Sequence, residues 1–226
     1  MVERGALCLL LAVAALTTAC SDDEGTGPEG GARLRVVHAD AELPEVDVVV
    51  DDIEMAGDLA FLTASEYLEL EAGSRHVQFV TVDDTVDDLR LDLAEGADYT
   101  VFPCCFGVAR SLFLTDDNAE STEGNAKVRV IHFASAAAVD VYLLPPDADL
   151  EAETPTLFSL GSFDASDYVE VPSGDYQILA TTAGTKTVEI DGGTLALSPG
   201  QVRTAIAVDA QGGGGPFSFL VLEDAN

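Results

Sequence analysis

The sequence has no tryptophan, and lysine plus arginine number only 10, against 41 aspartates and glutamates in 226 residues. The resulting formal charge of −31 repels polyanions over most of the surface, so nucleic acid is not expected as a partner. Four cysteines, two of them adjacent, leave no well-separated pair for a domain-spanning disulfide, and with tryptophan absent this excludes an antibody-type core. The longest apolar run, Ala6 to Leu16, is about half of the roughly 20 residues that a membrane-spanning helix needs. The signatures GxSxG, HExxH, paired CxxC and phosphate-binding glycine loops are missing, and the three histidines have no i, i+4 spacing. No enzyme class and no cofactor is therefore indicated. What is present is 47% hydrophobic residues, enough for a buried core.

The N-terminus reads as an export signal: a short polar start, the apolar run, and small residues ending at Cys20. Its end, "LTTAC", resembles the lipobox of bacterial lipoproteins, which implies cleavage before Cys20 and acylation of that cysteine. A plain secretory cut after Ala19 is the alternative. Residues 1–19 are then the signal peptide and 20–31 a flexible tether, since "SDDEGTGPEGG" carries no hydrophobic side chain. Each buried acyl methylene contributes about 0.8 kcal/mol, so a multiply acylated cysteine holds a soluble domain on a bilayer without a span. Ser21 after the cysteine is similar to outer-membrane sorting, leaving open which face of the membrane is used.

From the tether onward the chain repeats itself. "RLRVVHADAELPEVDVVV" from Arg33 is answered by "KVRVIHFASAAAVDVYLL" from Lys127, "ASEYLELEAGS" by "ASDYVEVPSGD", and "LDLAEGADYTV" by "LALSPGQVRTA". The order is preserved while the spacing widens from the His38/His132 pair to Tyr67/Tyr168 and Gly96/Gly200, as when loops lengthen on a kept framework. Two domains follow, 32–119 and 126–226, with a polar linker at 120–125.

Within each copy apolar residues alternate over short runs. "YLELEAG" sets Leu68 and Leu70 opposite Tyr67, Glu69 and Glu71, and "HVQFVTV" puts Val77, Phe79 and Thr81 on one face. Turn-forming clusters such as "EAGS", "AEG", "PSGD" and "SPG" recur between these runs. The expectation is all-β: two tandem immunoglobulin-like or transthyretin-like antiparallel β-sandwiches of about seven strands each, with almost no helix.

The phrases "RVVHADAELPEVDVVVDD", "ASEYLELEAGSRHVQF" and "LAEGADYTV" resemble a bacterial extracytoplasmic domain catalogued as domain of unknown function 4397. The resemblance covers nearly the whole mature chain in tandem copies. It implies an exported β-sandwich, often surface-anchored, and brings no established reaction. The second copy departs from it with "FASAAA", which lacks the Asp and Pro of the loop.

Four side chains stand out as a site or as loop framework: His38 and His132 at the end of the first strand of each copy, and Asp47 and Asp140 on the next strand. His and Asp on adjacent strands are placed to meet, for acid/base work or metal binding. A hydrogen bond pinning the first loop is the preferred reading, because the pair is duplicated while no nucleophile is. Cys104 and Cys105 are adjacent and point to opposite faces of a strand. Unpaired thiols are preferred to a strained vicinal disulfide, with intermolecular pairing or metal binding as the remaining alternatives, and Cys104, aligned with Val208, suits a buried apolar position. Asp83, Asp84, Asp87 and Asp88 are weak calcium candidates that fail the EF-hand pattern, so a charged hairpin tip is the better account.

These readings converge on a lipid-anchored envelope protein, non-catalytic, that binds or supports an envelope protein or glycan. A calcium-dependent surface module is the alternative, and an enzyme using the repeat histidines is the less favoured one.

Overall fold

A computed structural model describes residues 30–82, 84–104 and 111–225. The signal peptide, Cys20, most of the tether, Asp83 and Cys105 lie outside the described residues. The first half holds β1 (Gly31–His38), β2 (Val46–Val50), β3 (Ile53–Leu59), β4 (Thr63–Ala64), β5 (Leu68–Glu71), β6 (Gly73–Val80), β7 (Thr85–Leu93), β8 (Asp98–Phe102) and β9 (Leu112–Asp116). The second half holds β10 (Asn125–His132), β11 (Val139–Leu144), β12 (Leu157–Leu160), β13 (Asp164–Ala165), β14 (Val169–Pro172), β15 (Gly174–Thr182), β16 (Val188–Leu197), β17 (Val202–Val208) and β18 (Ser218–Ala225).

The halves match strand for strand. One sheet runs β4-β1-β8-β9 with β5 also on β1, and its counterpart runs β13-β10-β17-β18 with β14 on β10. The second sheet of each half is β3-β2-β6-β7 or β12-β11-β15-β16. The fold is all-β, as expected, with nine strands per half among the described residues where about seven were anticipated. The extra ones are short: β1 and β10 each change partner midway, so two brief strands replace one long one. One pairing in each half departs from the antiparallel expectation, because β1 lies parallel to β8 and β10 parallel to β17. The second half also inserts residues 145–156 between β11 and β12, with a single 3₁₀ turn at Leu150–Ala152 capped by the Asp149 carboxylate.

Alternation decides what each strand buries. Leu34 and Val36 of β1, Val48 of β2, Val77 and Phe79 of β6 and Val101 of β8 fill the core of the first half; Val128, Val141, Ile178, Ile190 and Ala205 do so in the second. Fully burying a side chain of this size contributes about 1.5–3 kcal/mol. The opposite face of β1 and β8 is buried as well: Val37, Phe102 and Cys104 pack against Ile131, Phe133, Ile206 and Val208 in a third core between the halves. That double burial is why "RVVH" and "RVIH" read as nearly unbroken apolar phrases.

Since β1, β8, β10 and β17 point the same way within their sheets, the loops that follow them gather where β1 and β10 end. Gly31, where the chain emerges from the tether, lies at the other end of β1, about 25 Å away for eight extended residues.

Candidate functional site

His38 and His132 are both fully buried. His38 Nε2 lies 2.8 Å from the Pro44 carbonyl oxygen, and His132 Nε2 lies 3.0 Å from that of Ala137. A carbonyl only accepts, so Nε2 carries a proton and donates; in both rings Nδ1 is buried without a hydrogen-bond partner among the described residues. Each imidazole thus ties the loop after its strand to the strand's end.

The aspartates do not meet them. Asp47 Oδ1 accepts from the Asp58 backbone N–H at 2.8 Å, and Asp140 Oδ1 accepts from that of Ser159 at 2.7 Å. Asp58 and Ser159 occupy the left-handed region, at φ 53° and 50°, inside β-bulges that shift the register opposite Asp47 and Asp140. Asp140 also accepts from the Gly184 N–H at 2.7 Å. The His–Asp encounter that adjacent strands allow does not form; the aspartates serve separate backbone duties, because the bulge presents an N–H that the strand ladder leaves over. Ser65 and Ser166 are spent in the same way: their hydroxyls accept from the Val36 and Val130 N–H groups, where β1 and β10 change partner.

The sequence reading missed the largest polar assembly, which lies between the halves. Arg35 donates to the Thr100 hydroxyl from Nε and from an Nη at 3.2 and 3.0 Å, and Thr100 donates to Asp116 at 2.6 Å. Asp116 accepts from Arg129 of the other half at 2.7 Å. Arg129 reaches Thr204 at 3.3 Å, Thr204 donates to Asp224 at 2.5 Å, and Asp224 pairs with Arg35 at 2.7 Å. The ring closes, with each arginine neutralised by the aspartate of the opposite half. Tyr67 and Tyr168 complete it. Tyr67 lies under the Arg35 guanidinium and donates to Asp116, and Tyr168 does the same with Arg129 and Asp224.

The four charged side chains of the ring are between 0% and 4% exposed. Burial works against the Arg35 charge, but Asp224, Tyr67 and Asp116 outweigh it and hold its pKa above the ordinary value. Burial, reinforced by Asp116, pushes the Tyr67 hydroxyl well above its usual range; burial and Asp224 do so for Tyr168. The sequence did carry a signal: Arg35/Arg129, Tyr67/Tyr168, Thr100/Thr204 and Asp116/Asp224 all correspond between the copies.

At the loop end a cleft of about 820 Å³ opens between the halves, lined from the first by Leu43, Pro44, Glu45 and Phe61 and from the second by Asp209, Gln211 and Phe217. His38 stands behind its wall, holding Pro44, with its ring T-shaped to that of Phe61 and the ring centres 6.1 Å apart. The glycine run of the second half is tied across to the first by a 3.0 Å bond from Gly212 N–H to the Ala41 carbonyl. Gly212 and Gly213 both have φ 88°, a conformation that side chains rarely adopt.

Cys104 is 2% exposed and sits in the core between the halves, in the apolar position its alignment with Val208 implied. It is disulfide-bonded, which corrects the preference for unpaired thiols. The acidic hairpin is otherwise engaged. Asp84 accepts from the Thr85 N–H, Asp87 from the Asp88 N–H and Ser111, and Asp88 from Gln78 and His76. Hydrogen bonds from His76 and Gln78 hold Asp88 below the ordinary carboxylate range. Among the described residues no three His, Cys, Asp or Glu gather to hold a metal ion.

A family model described as "Domain of unknown function (DUF4397)" matches residues 17–142, more than half of the chain, and the chain belongs to that family. Among curated proteins none matches. Among solved structures, a leucine-rich repeat protein from Bacteroides thetaiotaomicron VPI-5482 is similar at 13% identity and a TM-score of 0.25, over 80% of this chain and 26% of that one. The chain therefore spans about a quarter of that protein's length.

Proposed function

We propose that this DUF4397 protein is a non-catalytic binding module of the bacterial cell envelope, acylated at Cys20, held on the outer membrane, and active through the loop end of its paired sandwiches. One observation carries the reading: the polar side chains that both copies share are spent on the fold. His38, Asp47, Ser65, Arg35, Tyr67 and Thr100, with their counterparts, hold loops, bulges, strand breaks and the join between the halves. Duplication here has preserved a scaffold. Loops positioned by such a scaffold are the usual place for recognition, and these lie at the far end of β1 from the tether, where an anchored protein meets partners.

Two measurements test it. Fatty-acid labelling in cells is expected on the wild-type chain and lost in Cys20→Ala, which moves to the soluble fraction; an unlabelled wild-type chain refutes the anchor. A photo-crosslinking residue at Leu62, on the loop end, is expected to recover a stoichiometric envelope partner that the same residue at Ile53, 63% exposed on β3, does not. Equal recovery from both positions, or from neither, refutes the binding face.

A further inference from the structure

Resting on that reading, we infer that the cleft between the halves takes a peptide segment in which a lysine or arginine stands beside an aromatic or aliphatic side chain. The lining pairs apolar surface with acid. Leu43, Pro44, Phe61, Leu62, Pro216 and Phe217 supply the apolar walls from both halves, while the ionisable lining residues are Glu45 and Asp209. Asp209 commits Oδ1 to the Ser135 N–H and hydroxyl, which fixes its carboxylate at the rim. Among the described residues no cation lines the cleft.

Charge decides among occupants. A surface of net −31 repels anionic lipids, phosphorylated glycans and a second copy of this chain, and steers cations toward the rim. Shape and lining decide the rest. About 820 Å³ suits a few side chains, within the range of ligand pockets. Neither tyrosine nor tryptophan, the usual stacking platforms for a sugar ring, is among the lining residues. His38 acts here as a positioning residue: by holding the Pro44 carbonyl and backing Phe61 it sets the wall that the apolar side chain meets.

The test is fluorescence polarisation on the full chain in mild detergent, with fluorescein-labelled Lys-Phe-Lys-Leu-Lys and its Glu-Phe-Glu-Leu-Glu counterpart as probes. The lysine peptide is expected to bind and to weaken with salt, and the glutamate peptide not to bind. Glu45→Lys, at an exposed rim position, is expected to weaken binding about tenfold with Tm unchanged. Leu62→Asn, a residue that tolerates the φ of 63° at that position, is expected to weaken it while leaving the salt dependence intact. Glu123→Lys, the same charge change at the linker end, is expected to have little effect. Absence of lysine-peptide binding, equal binding of the glutamate peptide, or equal loss in Glu123→Lys and Glu45→Lys overturns the inference. A partner crosslinked at Leu62 whose yield is untouched by Glu45→Lys overturns the partner class alone and leaves the binding module standing.

Discussion

Removing Asp224 probes what joins the halves. In Asp224→Ala, Arg35 keeps its buried place with its 2.7 Å counter-ion gone, and the Thr204 and Tyr168 hydroxyls lose their acceptor. Breaking a buried pair from one side costs about 3–5 kcal/mol, because an uncompensated charge remains. For a chain of this size about 2–4 °C of melting temperature goes with each kcal/mol, so a fall of roughly 6–20 °C is expected. Arg33→Met is the matched control. Arg33 bonds Asp98 at 2.5 Å but is 48% exposed, and an exposed pair contributes about 0–1 kcal/mol. Urea denaturation followed by tyrosine fluorescence, in a chain without tryptophan, measures both. Adding Arg35→Met to Asp224→Ala removes the stranded charge and is expected to restore part of the loss, giving a coupling of about 1–3 kcal/mol. A coupling under about 0.5 kcal/mol, or a loss no larger than that of Arg33→Met, refutes the claim that the ring is a desolvated unit.

His38→Ala and His132→Ala each leave a carbonyl without its donor and a space where a buried ring stood; a loss of about 2–4 kcal/mol per site is expected by urea denaturation, with similar values for the two. Asp140→Ala is expected to cost more than Asp47→Ala, by about 1 kcal/mol, since Asp140 satisfies two backbone N–H groups where Asp47 satisfies one. Tyr67 and Tyr168 have folded-state pKa values raised above the unfolded value of about 10. The folded chain therefore retains protons that the unfolded chain releases, so their contribution is whole below pH 10 and drains away as pH rises further. Alkaline melts are expected to steepen above pH 10 in wild type and less so in the Tyr67→Phe, Tyr168→Phe double variant. Millimolar calcium is expected to leave Tm unchanged within about 1 °C, because Asp84, Asp87 and Asp88 already serve neighbouring donors; a clear rise refutes this.

Local alternation made the strands legible, since it records which face is buried: Val77 and Phe79 face the core as their spacing requires. The duplication was legible because loops lengthened around a fixed order of residues. Partners across space were not. The sequence shows that Arg35 points away from Leu34 and Val36, but an outward arginine in an acidic chain reads as solvated, and nothing local says that the outer face of β1 meets a second sandwich. Asp116 and Asp224 sit at strand ends beside further acids, where a buried carboxylate looks like its neighbours. The His–Asp encounter that strand adjacency allows does not form for a related reason: adjacency of strands is visible in sequence, whereas the bulge that turns Asp47 and Asp140 to the backbone is not. The parallel β1–β8 pairing is equally silent, since sequence order reveals which strands exist and not which neighbours they choose.

The two halves are held by opposed effects, and their balance says why the ring exists. The core around Val37, Phe102, Ile131 and Ile206 supplies the non-directional gain of apolar burial. The charges bring a desolvation cost of several kcal/mol per ion, which their mutual attraction at best offsets. Four apolar residues in place of Arg35, Asp116, Arg129 and Asp224 would not simply stabilise the join, however, because Thr100, Thr204, Tyr67 and Tyr168 would be left with hydroxyls facing hydrocarbon. What the ring adds is orientation. An apolar face tolerates sliding and rotation, whereas a closed circuit that pairs Arg35 with Asp224 and Arg129 with Asp116 is satisfied in one relative placement of the sandwiches. The cleft depends on that placement, since Phe61 and Phe217 come from different halves. A variant that loosens the ring without unfolding either sandwich should thus blunt binding at the loop end, far from any residue it changes.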